Sequence, residues 1–200
     1  MLTGAPSYSV VTLLTRRALG LGGGKVREEV IDFERPDTFR SVVGVDDVFC
    51  CLGTTIKKAG SQDAFRKVDF EAPVAVAREA RAAGAGRYLI VTAVGADPRS
   101  RIFYNRVKGE TEEALRALEF PRGLRVFHPS LIVGERGERR PAERAAMAVM
   151  RATRPLFIGG LSRYRAIDAA DVARAMLRVA SEDAGSGVEV YEGERLFALV

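Results

Sequence analysis

The apolar residues of this chain switch repeatedly between the spacing of β-strands and the spacing of α-helices. Short β-branched or fully apolar runs, typical of strands buried on both faces, alternate with helical segments, one of them short and the others of ten or more residues. The strand-like runs cover residues 9–15, 25–33, 45–52, 88–93, 124–129 and 188–191, and the helical ones 36–44, 71–83, 103–118, 141–153 and 168–182. This alternation predicts βαβ units, and therefore an α/β fold with a doubly wound parallel sheet.

Nothing in the sequence divides the chain into separate domains. The 200 residues contain no internal repeat, no low-complexity tract and no obvious linker. We therefore predict a single domain over residues 1–200. Periodicity is weakest between residues 130 and 166, and we expect this stretch to form a small subregion on the substrate side of the domain.

Charge and hydropathy exclude several classes of partner. The formal net charge is +5, but many arginines alternate with glutamates as on solvated helix faces, and no nucleic-acid-binding motif accompanies them. No apolar run is long enough to span a membrane. We expect no nucleic-acid partner, no membrane span and no bound metal.

The two cysteines bear on the cellular compartment. Cys50 and Cys51 are adjacent in an apolar run, which is a poor geometry for a structural disulfide. The first residues lack the features of a secretory signal peptide. We therefore expect a reducing, cytoplasmic location.

Small, polar or basic residues follow the predicted strands at their carboxyl ends. In open parallel sheets, ligands bind at that edge. The residues at successive strand ends are Arg16 and Arg17, Asp32, Leu52 with Gly53 and Thr54, Thr92, and Pro129 with Ser130. Each could be an ordinary βα turn, but their recurrence favours a nucleotide site that they share.

Tyr104 and Lys108 form the most specific pattern in the chain. Their i to i+4 spacing places both side chains on one face of a helix. An ammonium near a phenol lowers the pKa of that phenol, which suits acid–base chemistry on a carbonyl or an alcohol.

The order of these motifs resembles the short-chain dehydrogenase/reductase superfamily. The segments that carry the resemblance are DF after a strand, CCLGTT, VTAVGAD, FYNRVKGE and a strand ending in HPS. Within the superfamily, the chain is similar to the atypical, epimerase/dehydratase-like branch that contains the Tat-interacting oxidoreductase proteins.

The resemblance implies a Rossmann fold, NADP(H) and a catalytic role for Tyr104 and Lys108, with Thr92 as the hydroxyl that holds the carbonyl or the phenol. It also places Leu52, Gly53 and Thr54 beside the phosphate–ribose region, Asp32 near the adenine, and Pro129 and Ser130 near the nicotinamide.

Two departures from the family pattern fall on the predicted site. Ala93 stands where the family usually has a serine, which leaves Thr92 as the available hydroxyl. His128 stands where an arginine is common, so it could contact the cofactor or simply pack in the core.

A third departure concerns the beginning of the fold. A Rossmann fold needs a first strand followed by G-x-x-G-x-x-G, and the chain has no such motif. We therefore expect an N-terminally truncated Rossmann sheet that lacks its central strand, with two facing rows of unpaired backbone groups. The corresponding hypothesis is that Met1 is a misassigned start.

In that register Arg16 and Arg17 follow the second strand of the complete fold. Arginine there accommodates the 2′-phosphate of NADP, whereas an acidic residue would select NAD. Two solvated arginines in a turn are the alternative.

The sequence thus predicts an NADP-dependent oxidoreductase acting on a small carbonyl or alcohol substrate that the residues do not identify. Two alternatives remain: an NADP(H)-binding regulatory or scaffold protein without turnover, and an inactive truncated fragment. The oligomeric state is open.

Overall fold

The computed structural model describes residues 1–133, 165–182 and 185–200. The helix expected at 141–153 and most of the expected subregion at 130–166 lie outside these described ranges.

A four-stranded parallel sheet forms the centre of the molecule. Its strands are β3 (Asp47–Cys50), β4 (Arg87–Val91), β5 (Leu124–His128) and β8 (Val188–Glu192), paired in the order β3-β4-β5-β8. All three pairings are parallel. β5 is buried along its whole length, as expected for an apolar strand covered on both faces.

Two further pairs of parallel strands lie outside this sheet. β1 (Val11–Thr15) pairs with β2 (Val26–Val30), and the short β6 (Ile132–Val133) pairs with β7 (Ile167–Asp168). In the described part of the chain, no backbone ladder joins β1 to β3. The parallel α/β architecture predicted from the sequence is therefore confirmed, and its strands fall into separate ladders.

Helices cover the sheet and complete two apolar clusters. The helices are α1 (Ile56–Ala59), α2 (Gln62–Arg66), α3 (Ala72–Ala82), α4 (Phe103–Arg116), α5 (Ala169–Ser181) and α6 (Glu194–Phe197). One cluster packs α3 against the strands through Val76, Ala77 and Ala80, and the other packs α5 through Val172, Met176 and Val179. The expected helix at 36–44 is instead two 3₁₀ turns, Pro36–Thr38 and Arg40–Val42.

Pro73 lies in the first turn of α3, as the sequence predicted, but α3 does not begin a separate helix. The helix runs from α2 through a π-helical segment, Lys67–Glu71, into α3. Proline has no N–H to donate, so the carbonyl four residues before it, that of Asp69, lacks its helical partner. The hydroxyl of Thr111, on α4, donates to that carbonyl at 2.9 Å. This hydrogen bond connects α4 to the helix that contains Pro73.

No helix within the described ranges combines the length and the hydropathy that a bilayer crossing requires.

Candidate functional site

The predicted site residues lie at the carboxyl ends of their strands, as the sequence indicated. Arg16 and Arg17 follow β1 and are exposed, and Asp32 follows β2, also exposed. Asp32 is part of a turn in which its Oδ1 accepts the Glu34 N–H at 2.9 Å. Nothing in these contacts brings the three residues to the Tyr104–Lys108 pair.

A buried ion pair stands beside the loop after β3. Lys108 Nζ lies 2.7 Å from Asp69 Oδ1, and the two side chains are 6% and 0% exposed. The other carboxylate oxygen of Asp69 accepts the Thr54 N–H at 2.9 Å. A Cβ placed on Gly53 would lie 3.6 Å from Lys108 Nζ, so a glycine leaves the ammonium within reach of a ligand there. We call Gly53, Thr54, Asp69, Tyr104 and Lys108 the lysine cluster.

Tyr104 completes the lysine cluster. Its ring is half-buried and packs against Phe65 with centroids 5.6 Å apart. Burial raises the pKa of Tyr104, the Lys108 ammonium lowers it, and the Asp69 carboxylate raises it. Lys108 therefore lowers the pKa of Tyr104 as the sequence predicted, but burial and Asp69 outweigh this effect, and the net pKa is above the ordinary value. The phenol is therefore protonated at neutral pH.

A second group of buried polar side chains, the histidine cluster, comprises Thr92, Glu112, His128 and Glu192. The Thr92 hydroxyl donates to Glu112 Oε1 at 2.7 Å, and His128 Nε2 lies 2.7 Å from the same oxygen. His128 Nδ1 lies 3.0 Å from Glu192 Oε2. Both ring nitrogens thus face carboxylates, which favours the doubly protonated imidazolium.

The pKa shifts of the histidine cluster agree with this assignment. Burial lowers the pKa of His128, but the hydrogen bonds and charges of Glu112 and Glu192 outweigh it and leave the pKa raised. Burial raises the pKa of Glu112, and its contacts with His128, Thr92 and Arg116 reverse this to a lowered pKa. His128 is therefore a packed, paired residue, which is one of the two roles left open by the sequence.

The histidine cluster also provides the hydrogen-bond partner of Thr92. Thr92 is buried, with 5% of the residue exposed, and its hydroxyl donates a hydrogen bond to Glu112. Ala93, beside it, is buried and has no polar group to offer. In this structure the hydroxyl of Thr92 therefore contacts Glu112, and its expected role toward a carbonyl or the Tyr104 phenol stays a prediction.

The residues after β5 are committed to backbone contacts. The Pro129 carbonyl accepts the Val94 N–H at 3.2 Å. The Ser130 hydroxyl donates to the Arg165 carbonyl at 2.7 Å. These bonds tie the end of β5 to the loop after β4 and to the chain before β7.

Helix α4 carries members of both clusters. Lys108 and Glu112 are one helical turn apart, and Gly109 lies between them in sequence. A Cβ on Gly109 would overlap the backbone of Asp97 and Pro98, so only glycine allows α4 to approach that loop so closely. The close approach fixes the height of α4 relative to the strand ends.

Sequence reasoning missed Asp69 and Glu112. Glu112 continues the four-residue spacing of Tyr104 and Lys108 on α4, and this repeat could have revealed it. Asp69 stands four residues before Pro73, in a helix that the sequence did not show to extend that far. Its contact with Lys108 joins residues 39 apart in the chain, and no local pattern indicates it.

Known proteins similar in sequence to this chain include two whose similarity spans most of it. The protein HTATIP2 of Rattus norvegicus is 35% identical over 201 residues, covering 96% of this chain and 78% of that protein. The mitochondrial protein FMP52 of Eremothecium gossypii is 32% identical over 206 residues, covering 98% of this chain and 88% of that protein. No protein-family profile matches the chain.

Solved structures share the fold at low sequence identity. A dTDP-glucose 4,6-dehydratase double mutant from Streptomyces venezuelae, with NAD bound, has a TM-score of 0.67 at 12% identity and covers 96% of this chain and 70% of its own. RMD from Pseudomonas aeruginosa, complexed with NADPH, has a TM-score of 0.55 at 17% identity and covers 86% of this chain and 70% of its own. The fold is therefore of the Rossmann type that both proteins share.

The comparisons also correct the expected location. Several fungal relatives are named mitochondrial, which points away from the cytoplasmic location expected from the cysteines. Free thiols argue against oxidising compartments, but they do not distinguish one reducing compartment from another. On the extent and identity of these matches, the chain belongs to the family of HTATIP2 and FMP52.

Proposed function

We propose that this chain is an NADP-dependent oxidoreductase of the short-chain type, acting on a carbonyl or alcohol substrate. The observation that carries the proposal is the lysine cluster, in which Tyr104 and Lys108 share a face of α4 and Lys108 reaches the loop after β3. In this proposal the whole chain acts as one cofactor-binding domain.

The residues present fit a dinucleotide at this edge of the strands. The Lys108 ammonium directs one N–H to Asp69, and its other N–H groups could donate to ribose hydroxyls. Gly53 has no side chain to fill the space beside this ammonium. When bound, the cofactor supplies or accepts the hydride. The residues that would hold it are Arg16, Arg17, Asp32, Leu52, Gly53, Thr54, Lys108, Pro129 and Ser130.

Tyr104 would act as the proton donor in the reductive direction. Burial keeps its phenol protonated at neutral pH, and the neighbouring ammonium stabilises the phenolate that remains after the proton has left. Asp69 holds that ammonium in place at 2.7 Å. Lys108 therefore acts on the phenolate and, through its other donors, on the ribose.

We propose NADP as the cofactor because of the two basic residues after β1. Arg16 and Arg17 are exposed at the carboxyl end of that strand, where a ribose 2′-phosphate would carry two negative charges to be paired. Related folds are found both with NAD and with NADPH, so the arginines are the feature that supports the preference.

The test is NADPH oxidation with a panel of aldehydes and ketones by the unmodified chain and by Tyr104→Phe. We expect Tyr104→Phe to bind NADPH as before and to lose at least about a hundredfold in turnover, because it has no proton to give. Tyr191→Phe is the matched control, since Tyr191 packs on Phe127 and its hydroxyl contacts Glu189, in β8. Undiminished turnover in Tyr104→Phe would exclude Tyr104 from the reaction.

The surroundings of Thr92 and Ala93 favour a second function. With the Thr92 hydroxyl bonded to Glu112 and Ala93 apolar, neither strand-end residue offers a group to polarise a carbonyl. This favours a regulatory or scaffold protein that binds NADP(H) without turnover. Fluorescence titration that shows NADPH binding, together with no oxidation across the substrate panel, would support this reading over the enzyme.

A further inference from the structure

A cavity that no member of either cluster lines lies in a cleft between β1 and β3. Its volume is about 690 Å³, and its walls include Val11 to Leu14 of β1 and all four residues of β3. The cleft is open along its length because β1 pairs only with β2, and β3 only with β4, in the part of the chain that the structure describes.

The backbone of β1 presents unpaired groups to this cleft. The Val11 N–H donates to the Lys25 carbonyl and the Thr15 carbonyl accepts the Ile31 N–H, so the odd-numbered residues of β1 face β2. Because alternate residues of a strand direct their hydrogen-bonding groups to opposite sides, Thr12 and Leu14 direct theirs into the cleft. Neither has a backbone partner among the described residues.

The backbone of β3 does the same from the other wall. The Arg87 N–H donates to the Asp46 carbonyl, so the even-numbered residues of this segment face β4. Phe49 and Cys51 therefore direct their backbone groups into the cleft. Two rows of donors and acceptors thus face a common space, and a row of that kind is a template for another strand.

Burial decreases from the inner strands of the sheet to its two edges, which are β3 at the cleft and β8 at the other end, where only Tyr191 is buried. β5 is buried at all five positions and β4 at four of five, whereas β3 is buried only at Cys50. Val48 and Phe49 make the middle of β3 as apolar as the neighbouring strands. A strand of this type is normally covered on both edges.

The amino ends of β1 and β3 meet at one end of the cleft. Tyr8, just before β1, donates its hydroxyl to Asp47 Oδ2 at 2.6 Å and packs its ring edge-on against Phe49. Both walls therefore begin at the same end of the cleft, and each already belongs to a parallel ladder, β1 with β2 and β3 with β4.

We propose that this cleft is an acceptor for an extended polypeptide segment, which inserts as a parallel strand and hydrogen-bonds to β1 and β3 at once. The walls are five and four residues long, so the inserted segment is about five residues long. It carries uncharged β-branched aliphatic side chains, because Val11, Leu13, Leu14, Val48 and Phe49 in the flanking strands make both faces of the sheet apolar beside the cleft. The inference does not depend on the proposed function, since it concerns backbone edges and no cofactor.

The test uses isotope-labelled protein and a capped synthetic peptide with a run of valine and isoleucine, flanked by lysines for solubility. We expect binding to slow hydrogen exchange at the amides of Thr12, Leu14, Phe49 and Cys51 by about fivefold or more, because these gain partners. The amides of Leu13 and Val48 already lie in ladders and serve as internal references.

The matched control is the same peptide with alternate backbone nitrogens methylated, which keeps the side chains and removes the donors. We expect its affinity to fall by at least about tenfold. Equal affinity would show an apolar pocket and not a strand acceptor. Absence of binding, or protection of the same four amides by self-association of the free protein, would also overturn the proposal.

Discussion

Lys108 and Asp69 form an ion pair that is almost completely removed from water, with 2.7 Å between Nζ and Oδ1. Asp69 in turn accepts the Thr54 N–H, so the position of the loop after β3 depends on the same carboxylate that holds Lys108. Removing one partner of such a pair leaves an uncompensated buried charge, which is costly.

The first prediction concerns Asp69→Asn. The amide oxygen can still accept the Thr54 N–H, but the charge that pairs with Lys108 is lost. We expect the free energy of unfolding to fall by about 3 kcal/mol, measured by urea denaturation. The pKa of Tyr104 should fall, since the carboxylate raises it in the unmodified chain. Asp63→Asn, on the exposed face of α2, is the control and should change little. An unchanged unfolding midpoint in Asp69→Asn would contradict the assigned role of the pair.

The second prediction tests the bond that replaces the missing proline donor. Thr111→Val removes the buried hydroxyl that lies 2.9 Å from the Asp69 carbonyl and 2.8 Å from the Val107 carbonyl, so both carbonyls lose this contact. We expect a loss of about 1–3 kcal/mol in unfolding free energy. Thr111→Ser keeps the hydroxyl and should lose only about 1 kcal/mol, the value of the methyl group. Equal losses in the two variants would mean that packing, and not the hydrogen bond, matters at this position.

The third prediction uses the close approach of α4 to the loop at Asp97 and Pro98. Gly109→Ala would force the helix and the loop apart, and we expect a destabilisation of about 1–3 kcal/mol with reduced NADPH binding. Gly44→Ala is the matched control, because a Cβ there meets nothing within 4 Å. The comparison is made by thermal unfolding and by fluorescence titration, and full stability of Gly109→Ala would show that α4 is not held at this height.

The fourth prediction is a dependence of stability on pH. His128 is the only histidine of the chain, so a single imidazole titration in the NMR spectrum reports on it. Its pKa in the folded protein is raised, so its stabilisation is complete below about pH 6.5 and is lost as the pH rises through the folded value. The lowered pKa of Glu112 acts in the opposite direction, and its contribution is lost only as the pH falls through that value.

We therefore expect urea unfolding of the unmodified chain to give a lower stability at high pH than near pH 6. In His128→Gln this part of the decrease should disappear. An imidazole that titrates below its ordinary pKa would contradict the paired, protonated state assigned to His128.

The fifth prediction concerns cofactor preference. Arg16→Glu combined with Arg17→Glu should weaken NADPH binding by about 10- to 100-fold and leave NADH binding nearly unchanged, because only NADPH carries the 2′-phosphate. Arg78→Glu, on exposed α3 surface, controls for charge reversal away from β1, with half the change in net charge. Equal losses for both cofactors would indicate that the arginines do not contact the 2′-phosphate.

The sequence predicted the parallel architecture because apolar periodicity is a local signal that survives in each element. β4 and β5 lie within a few residues of their predicted bounds. Elements whose form depends on tertiary contacts were not predictable in the same way. The π-helical segment at Lys67–Glu71 depends on Pro73 and on a hydroxyl from α4, which lies about forty residues further along the chain.

The same difference between local signals and tertiary contacts decides which features of the candidate site were predictable. Tyr104 and Lys108 were visible because one helix carries both at a fixed spacing. The lowering effect of Lys108 on the pKa of Tyr104 was predictable from that spacing, but burial and Asp69, which raise the net pKa, were not apparent in the sequence. Thr92 was placed at the correct strand end, but its bond to Glu112 depends on how α4 faces that strand.

Helix α4 therefore connects the two clusters rigidly, because it carries Lys108 of the lysine cluster and Glu112 of the histidine cluster. Lys108 and Glu112 are separated by one turn of a helix, about 6 Å along its axis, and cannot be displaced separately while the helix is intact. Gly109 sets the position of that part against Asp97 and Pro98. A displacement along the axis would lengthen the Lys108–Asp69 and Glu112–His128 contacts in the same movement, so the two clusters share a single degree of freedom.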